Sequence, residues 1–406
     1  MPLLSRTFYL FSAIHSFLLG LLPIFIPVIL WDKGLDIANI SWFVALSALG
    51  FLIALTVWDK LRAQGNWSLI IALSFIFQMI LVGVLIWDTQ WLLLSFGALI
   101  NGAAGCFYWS TQRLLFQSIT SDKNTGDTFG NFQILVMLCL KFGILIGSFM
   151  LDAEYINSLI ALSFFTSLAG FFLLRRLLSH SKDLLKEQQP VAFSLSKILA
   201  FKDAFHSKSI FIIDGLFLFL ESYFWVLTLY ILTKESLLKL GLLIVSLSVL
   251  LAFVFFVIKK IIDRTNVQRI FIISTFGYAL AWLLRAQLDV QHNDLTLYSG
   301  MLLIAFLSSF FRLAFNKRFY DIASQGNSIY YIVAKSYYSQ LMILVFFSLI
   351  AWFIPVEQLA INQLQSIYYF ALPLVFVYLL YGRDNKKLLP RIAYLANKIG
   401  SKSIRE

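Results

Sequence analysis

Charge is what this chain has least of. Only 13% of its 406 residues are Asp, Glu, Lys or Arg, against about 25% in an ordinary soluble domain. Too little polar surface exists to cover a water-soluble particle of this size. That excludes a soluble enzyme, a nucleic-acid-binding module and a disordered chain. Cysteine is nearly absent as well. Cys106 and Cys139 both lie in apolar runs, lack metal-ligand spacing and read as small core residues. Catalytic signatures are missing: there is no P-loop for an ATP-driven pump, no HExxH motif and no Gly-x-Ser-x-Gly elbow. No enzyme activity, metal or cofactor is expected.

What the chain has instead is apolar length. Hydrophobic residues make up 60% of it and aromatics 17%, with a mean hydropathy of +0.83. A helix needs roughly 20 apolar residues to cross the hydrocarbon core. Twelve stretches qualify, from Phe8–Leu30 to Ser366–Tyr381. Long runs rather than short alternating ones exclude a β-barrel. The fold class is an all-α polytopic membrane protein. The first run is too long for a signal peptide and is followed by Trp31-Asp32-Lys33 rather than a small-residue cleavage site.

The net charge of +11 has a membrane explanation. With both termini in the cytoplasm, only Lys33, Lys234, Lys239 and Arg285 of the 32 basic residues are assigned to the far side, and Lys141 to a span interior. The positive-inside rule then sets the orientation, in a cytoplasmic membrane of bacterial type. The expected segments are a bundle over 1–174, a linker over 175–208 carrying an amphipathic helix, a second bundle over 209–381, and a basic cytoplasmic tail over 382–406.

The two bundles echo one another. Span four ends in QRLLFQ and span ten in FRLAFN, which pairs Arg113 with Arg312. Asp59-Lys60 comes after span two, and Asp263-Arg264 after span eight at a similar offset. Together these support a duplicated six-helix unit. On these features the chain resembles the major facilitator superfamily. That family's loop signature sets an acidic–basic pair among glycines and further basic residues. Asp59-Lys60 and Asp263-Arg264 match the pair, while Leu55, Lys259, Arg62 and Asn266 occupy the glycine positions. An exporter signature in span five is matched only by Gly143 and Gly147, without its proline. The resemblance implies twelve helices in two six-helix pseudo-repeats. It also implies a central cavity and a gating role for Asp59, Lys60, Asp263, Arg264, Arg113 and Arg312.

Ionisable groups inside the bilayer are costly, about 2.5–3.5 kcal/mol each on insertion scales, and so mark function. Span seven holds Asp214 and Glu221, seven residues apart on one face, with Trp225 and Thr228 continuing the stripe. Lys141 on span five reaches a depth similar to that of Glu221, and both are expected to face the cavity. His15 on span one could exchange a proton near neutral pH, or could be a hydrogen-bonded core residue. Asn101, Tyr108 and Gln112 make a polar stripe on span four, either cavity lining or interhelical hydrogen bonding. The tyrosine pairs at 330–331, 337–338 and 368–369 fit interface belts. Substrate and proton binding is therefore assigned to Glu221, Lys141, His15, Asn101, Tyr108, Trp225 and Asp214.

The main expectation is a secondary active transporter that moves a small solute by alternating access with proton coupling. It would act as a monomer in a lipid bilayer, with no nucleic-acid partner. An uncoupled facilitator or lipid-like flippase of the same fold stays open, as does a non-transporting scaffold or receptor.

Overall fold

A computed structural model describes residues 3–86, 89–119, 125–179, 192–263, 267–289, 293–354 and 359–382, with backbone alone over 125–131 and 252–263. Arg264, most of the expected linker and the tail from 383 lie outside the described residues, as does the side chain of Asp263. No strand occurs among the described residues.

Twelve long helical segments are described in chain order. Helix α1 runs over Leu3–Leu21, passes a 3-10 turn at Pro23–Phe25 and resumes over Ile26–Asp32. The interruption falls where Pro23 and Pro27 remove backbone donors. Next come α2 (Ile37–Ala63), α3 (Trp67–Ile86), α4 (Gln90–Leu92, then a π turn over Leu93–Gly97, then Ala98–Ile119), α5 (Thr125–Asp152) and α6 (Ile156–Ser179). A short linker helix, Leu195–Leu199, precedes the second set. That set comprises α7 (Ser207–Phe219, a π turn over Leu220–Phe224, then Trp225–Leu232), α8 (Leu237–Asp263), α9 (Val267–Gln287), α10 (Asp294–Ala323), α11 (Ser328–Phe353) and α12 (Ala360–Ala371, tightening to a 3-10 helix over Leu372–Gly382). Eleven of these are long and apolar enough to cross a membrane; α8 adds a shorter apolar stretch, Leu237–Leu251.

Within the first set, α1 packs on α5 and α6, and α4 on α2 and α3. In the second, α7 packs on α11 and α12, and α9 on α10 and α12. The sets meet where α2 lies along α11 and α5 along α8. Small residues make the closest approaches possible. A side chain at Gly143 or Gly147 of α5 would run into the α1 backbone at Phe17 and Leu21, so the residues matching the family's span-five pattern seat α1. A Cβ on Gly215 of α7 would lie 2.7 Å from the Ser339 carbonyl oxygen on α11.

The linker clamps one end of the bundle. The Asp59 carboxylate on α2 accepts from the Phe193 backbone N–H at 2.7 Å and binds the Arg62 guanidinium at 2.7 Å. From α11, Tyr330 and Tyr338 donate to the linker-helix carbonyls of Lys197 and Leu199, at 2.6 and 2.9 Å. At this linker end Phe116 of α4 also meets Tyr320 of α10, ring centres 4.8 Å apart. At the opposite end Tyr230 of α7 donates to Asp32 of α1 at 2.9 Å. Trp31 donates to Glu235 at 3.4 Å, and the Leu238 N–H to Asp152 at 3.2 Å. Contacts between the two sets thus join them at both ends.

The tyrosine pairs correct the belt expectation. Tyr331, Tyr338 and Tyr368 are buried and hydrogen-bonded to Ser207, the linker carbonyls and Thr228. Of the pairs, Tyr369 is 48% exposed. A phenol that reaches a partner on a neighbouring helix is better placed inside than at the lipid interface.

Gly215→Val should therefore separate α7 from α11. The expected cost is about 1–3 kcal/mol of stability, read as a lowered unfolding midpoint in detergent. An unchanged midpoint would refute the close-packing argument.

Candidate functional site

Five ionisable side chains from four helices form a ladder of alternating sign. Lys335 of α11 lies 2.8 Å from Oδ2 of Asp214 on α7. The other Asp214 oxygen takes Arg312 of α10 at 2.6 Å and the Tyr378 hydroxyl at 3.1 Å. Arg312 then reaches Oε2 of Glu221 at 2.9 Å through Nε and Nη2. Beyond it, Arg285 of α9 stands 3.6 Å from Oε1 of Glu221. At ~1.5 Å per residue, Asp214 and Glu221 lie ~10 and ~21 Å along α7 from its linker end, so the ladder runs along the bundle axis.

Local structure aims each group. Tight α7–α11 packing at Gly215 brings Asp214 to Lys335. The π turn over Leu220–Phe224 contains Glu221 and inserts a residue into the helical turn, rotating the rest of α7. Trp225 thereby comes to lie against the Arg285 guanidinium at 5.1 Å, and the Trp282 ring lies 4.3 Å from it. Thr228 is buried against the Tyr368 hydroxyl at 2.6 Å. Tyr278 supports Arg312 with a hydrogen bond at 3.1 Å.

Exposure varies along the ladder. Asp214 is sealed, its side chain 1% exposed, whereas Glu221 and Arg312 keep 18% and 17%. Arg285 is 2% exposed, yet its Nε and Nη1 have no hydrogen-bond partner; Nη2 donates to Ser308 at 2.8 Å. The Trp282 indole N–H and Glu221 Oε1 are likewise without a hydrogen bond. Buried donors are normally paired, so this corner is unfinished.

The sequence-predicted residues divide. Glu221, Asp214, Trp225 and Arg312 come together here. Arg312 is expected at a helix end for gating, but its long side chain turns inward to two carboxylates. Lys141 does not join: Glu221 is bracketed by arginines of its own set, and Lys141, on α5, has no ion-pair partner among the described residues. His15 is enclosed, stacked on Phe75 at 4.3 Å, 4.8 Å from the Tyr108 ring and hydrogen-bonded to Ser74 at 3.0 Å. It takes the hydrogen-bonded core alternative. Tyr108 accepts from Gln112 at 2.8 Å within the same polar pocket. Asn101 bridges the sets, donating to Ser47 and to Tyr223 of α7 at 3.0 and 2.9 Å. Lys60 is exposed, and Arg113 is partly buried on α4.

Arg285 and Lys335 escape the sequence reading. Both count there toward the charge balance of the connections, Arg285 on the far side and Lys335 on the cytoplasmic side, although each falls inside an apolar run. Arg285 points inward because two tryptophan faces and Glu221 receive it; Lys335 does so because Asp214 does. The usable signal is their position within the runs together with two unmatched acids on α7.

A helical membrane bundle with a buried charge network has the build of a transporter. The family model of the Major Facilitator Superfamily matches residues 8–339, and the chain belongs to that family. Among solved structures it is similar to the nucleoside transporter NupG, at 14% identity and a TM-score of 0.67 over 94% of this chain and 100% of that one. It is also similar to a bacterial homologue of the human drug peptide transporters PepT1 and PepT2, at 12% identity and a TM-score of 0.61 over 97% and 99%. No curated protein matches it in sequence. The chain is an integral membrane protein of a small-molecule transporter family.

The geometry sets two expected outcomes. Asp214→Asn leaves Lys335 without its charge partner and should cost about 3–5 kcal/mol. Asp214→Asn combined with Lys335→Met should recover much of that loss in a thermal double-mutant cycle; additive losses would show that the pair is not coupled. Asp59→Ala should release the linker, raising amide hydrogen exchange at residues 193–199. Unchanged exchange there would show that the clamp does not depend on Asp59.

Proposed function

We propose that this chain is a secondary active transporter that carries a small solute by alternating access, with the Lys335–Asp214–Arg312–Glu221–Arg285 ladder as its binding and coupling centre. The observation that carries this reading is the ladder itself. Five ionisable groups in a membrane interior are expensive to keep, and a passive scaffold has no use for them. Glu221 acts as an exchangeable counter-ion between Arg312 and Arg285, free to re-pair when substrate or a proton arrives. Asp214 and Lys335, sealed on the linker side, hold Arg312 in place. Asn101 supplies the other wall of the passage through Tyr223.

The gates are the two closures. The linker-end contacts, Asp59 with the linker and Phe116 with Tyr320, open while the Asp32–Tyr230 and Trp31–Glu235 pairs hold, and the reverse. The two sets of six helices rock against each other as pseudo-repeats, in a bacterial cytoplasmic membrane with the linker facing inward.

Spin-label distances in nanodiscs test this. One pair, at Lys60 and Gln325, reports the linker end; another, at Glu154 and Lys234, reports the opposite end. Each is expected to sample a closed and an open distance, with opposite changes as conditions shift. Glu221→Gln should alter that balance and abolish proton-driven accumulation of a transported solute. Static distances at both ends would overturn alternating access. Proton-driven accumulation retained in Glu221→Gln would overturn the coupling role.

A further inference from the structure

We infer that Arg285 is the docking point for an oxyanion, so that the carried solute bears a carboxylate or a phosphate. The inference deepens the transporter reading and rests on it. Three observations converge. The ladder holds three cations, Lys335, Arg312 and Arg285, against two acids, Asp214 and Glu221. One positive charge in the membrane interior is therefore uncompensated within the cluster. Its place is marked by pairing strength: Asp214 and Arg312 have contacts of 2.6–2.9 Å, whereas Arg285 stands 3.6 Å from Glu221 with no hydrogen bond to it. The empty valences also lie here. Arg285 Nε and Nη1 and the Trp282 indole N–H are buried donors without acceptors.

Three unpartnered donors and a net positive charge define what fits, and the one unpartnered acceptor beside them, Glu221 Oε1 at 3.6 Å, is the group an arriving anion would displace. A neutral solute would leave the charge uncompensated, and a cation would be repelled. A planar guanidinium with two free N–H groups matches a carboxylate or phosphate in a bidentate fork. The Trp225 and Trp282 rings both pack against the fork, at 5.1 and 4.3 Å, which limits the ordering required on binding. Glu221 and Arg312 border the position and retain access. An arriving oxyanion takes Arg285, and Glu221 then pairs with Arg312 alone. The re-pairing gives the ladder two states, which is what coupling substrate to conformation requires.

The flanking tryptophans supply a readout that does not depend on transport. Full-length protein in nanodiscs is titrated with inorganic phosphate, succinate and benzoate, and with the neutral partners succinamide and benzamide. At least one oxyanion is expected to change tryptophan fluorescence and raise the unfolding midpoint, while the amides do neither. Phosphate against the carboxylates separates the two sources of the shared chemistry. Arg285→Lys keeps the charge but loses the fork, and should weaken binding about tenfold or more. Trp282→Phe keeps an aromatic ring but removes the N–H, and should weaken it less. Should Arg285→Lys fail to fold, the Trp282→Phe titration still decides. Amides that bind as well as the acids, affinity unmoved in both variants, or no oxyanion binding at millimolar concentration would overturn the inference. Alternating spin-label distances with no oxyanion binding would sink this inference alone. Oxyanion binding with static distances would sink the transporter reading and leave Arg285 as a binding site.

Discussion

The alternating charge ladder is the constraint around which the second set of helices is arranged. Each of its pairs joins two helices: α11 to α7, α7 to α10, and α7 to α9. Charges cannot be left alone in a medium that solvates them poorly, so these helices must stay within salt-bridge reach of one another. Much else serves that requirement. Gly215 lets α7 and α11 close, the π turn re-aims the residues around Glu221, and Tyr278 and Tyr378 occupy the remaining hydrogen-bonding directions of Arg312 and Asp214. The first set of helices holds a different kind of polar centre. His15, Ser74, Tyr108 and Gln112 make hydrogen bonds packed with aromatic rings and include no ion pair. The duplicated architecture thus carries chemically unequal halves.

Much of the fold was legible because hydrophobic length is a one-dimensional property. Runs of the right size read as spans, and α1 through α12 lie on them. Membership in the family was legible from the acidic–basic pairs at 59–60 and 263–264 and from the arginines at 113 and 312. The site was only partly so. Asp214 and Glu221 stood out because an acid in an apolar run is anomalous wherever it falls. Arg285 and Lys335 did not, because a long basic side chain near a run's end has an ordinary destination at the interface. Only three-dimensional proximity to an acid distinguishes the two fates. Lys141 shows the limit of reading depth alone. Its depth along the helix matched that of Glu221, but depth is one coordinate of three, and α5 and α7 present those residues to different neighbours.

The linker shows how a degenerate motif keeps its physics. Arg62 stands where the family pattern has a glycine, yet it folds back on Asp59 at 2.7 Å and lays its guanidinium 5.4 Å from the Phe193 ring. The acid keeps a cation and a backbone donor as partners, supplied from within α2 and from the linker. Tyr330 and Tyr338 complete the clamp from α11. The segment joining the two sets is therefore attached to both, at the end where they would have to part.

A net charge at the heart of a membrane protein also feels the membrane potential. Moving one elementary charge through the full membrane field is worth about 2.3 kcal/mol per 100 mV, and any rocking of α7, α9 and α10 carries the ladder through part of that field. With one cation in excess, the ladder would couple such a movement to the membrane potential. A singly charged anion bound there would cancel that excess. The same arginine would then set both what the protein holds and which way an energised membrane drives it when it is empty.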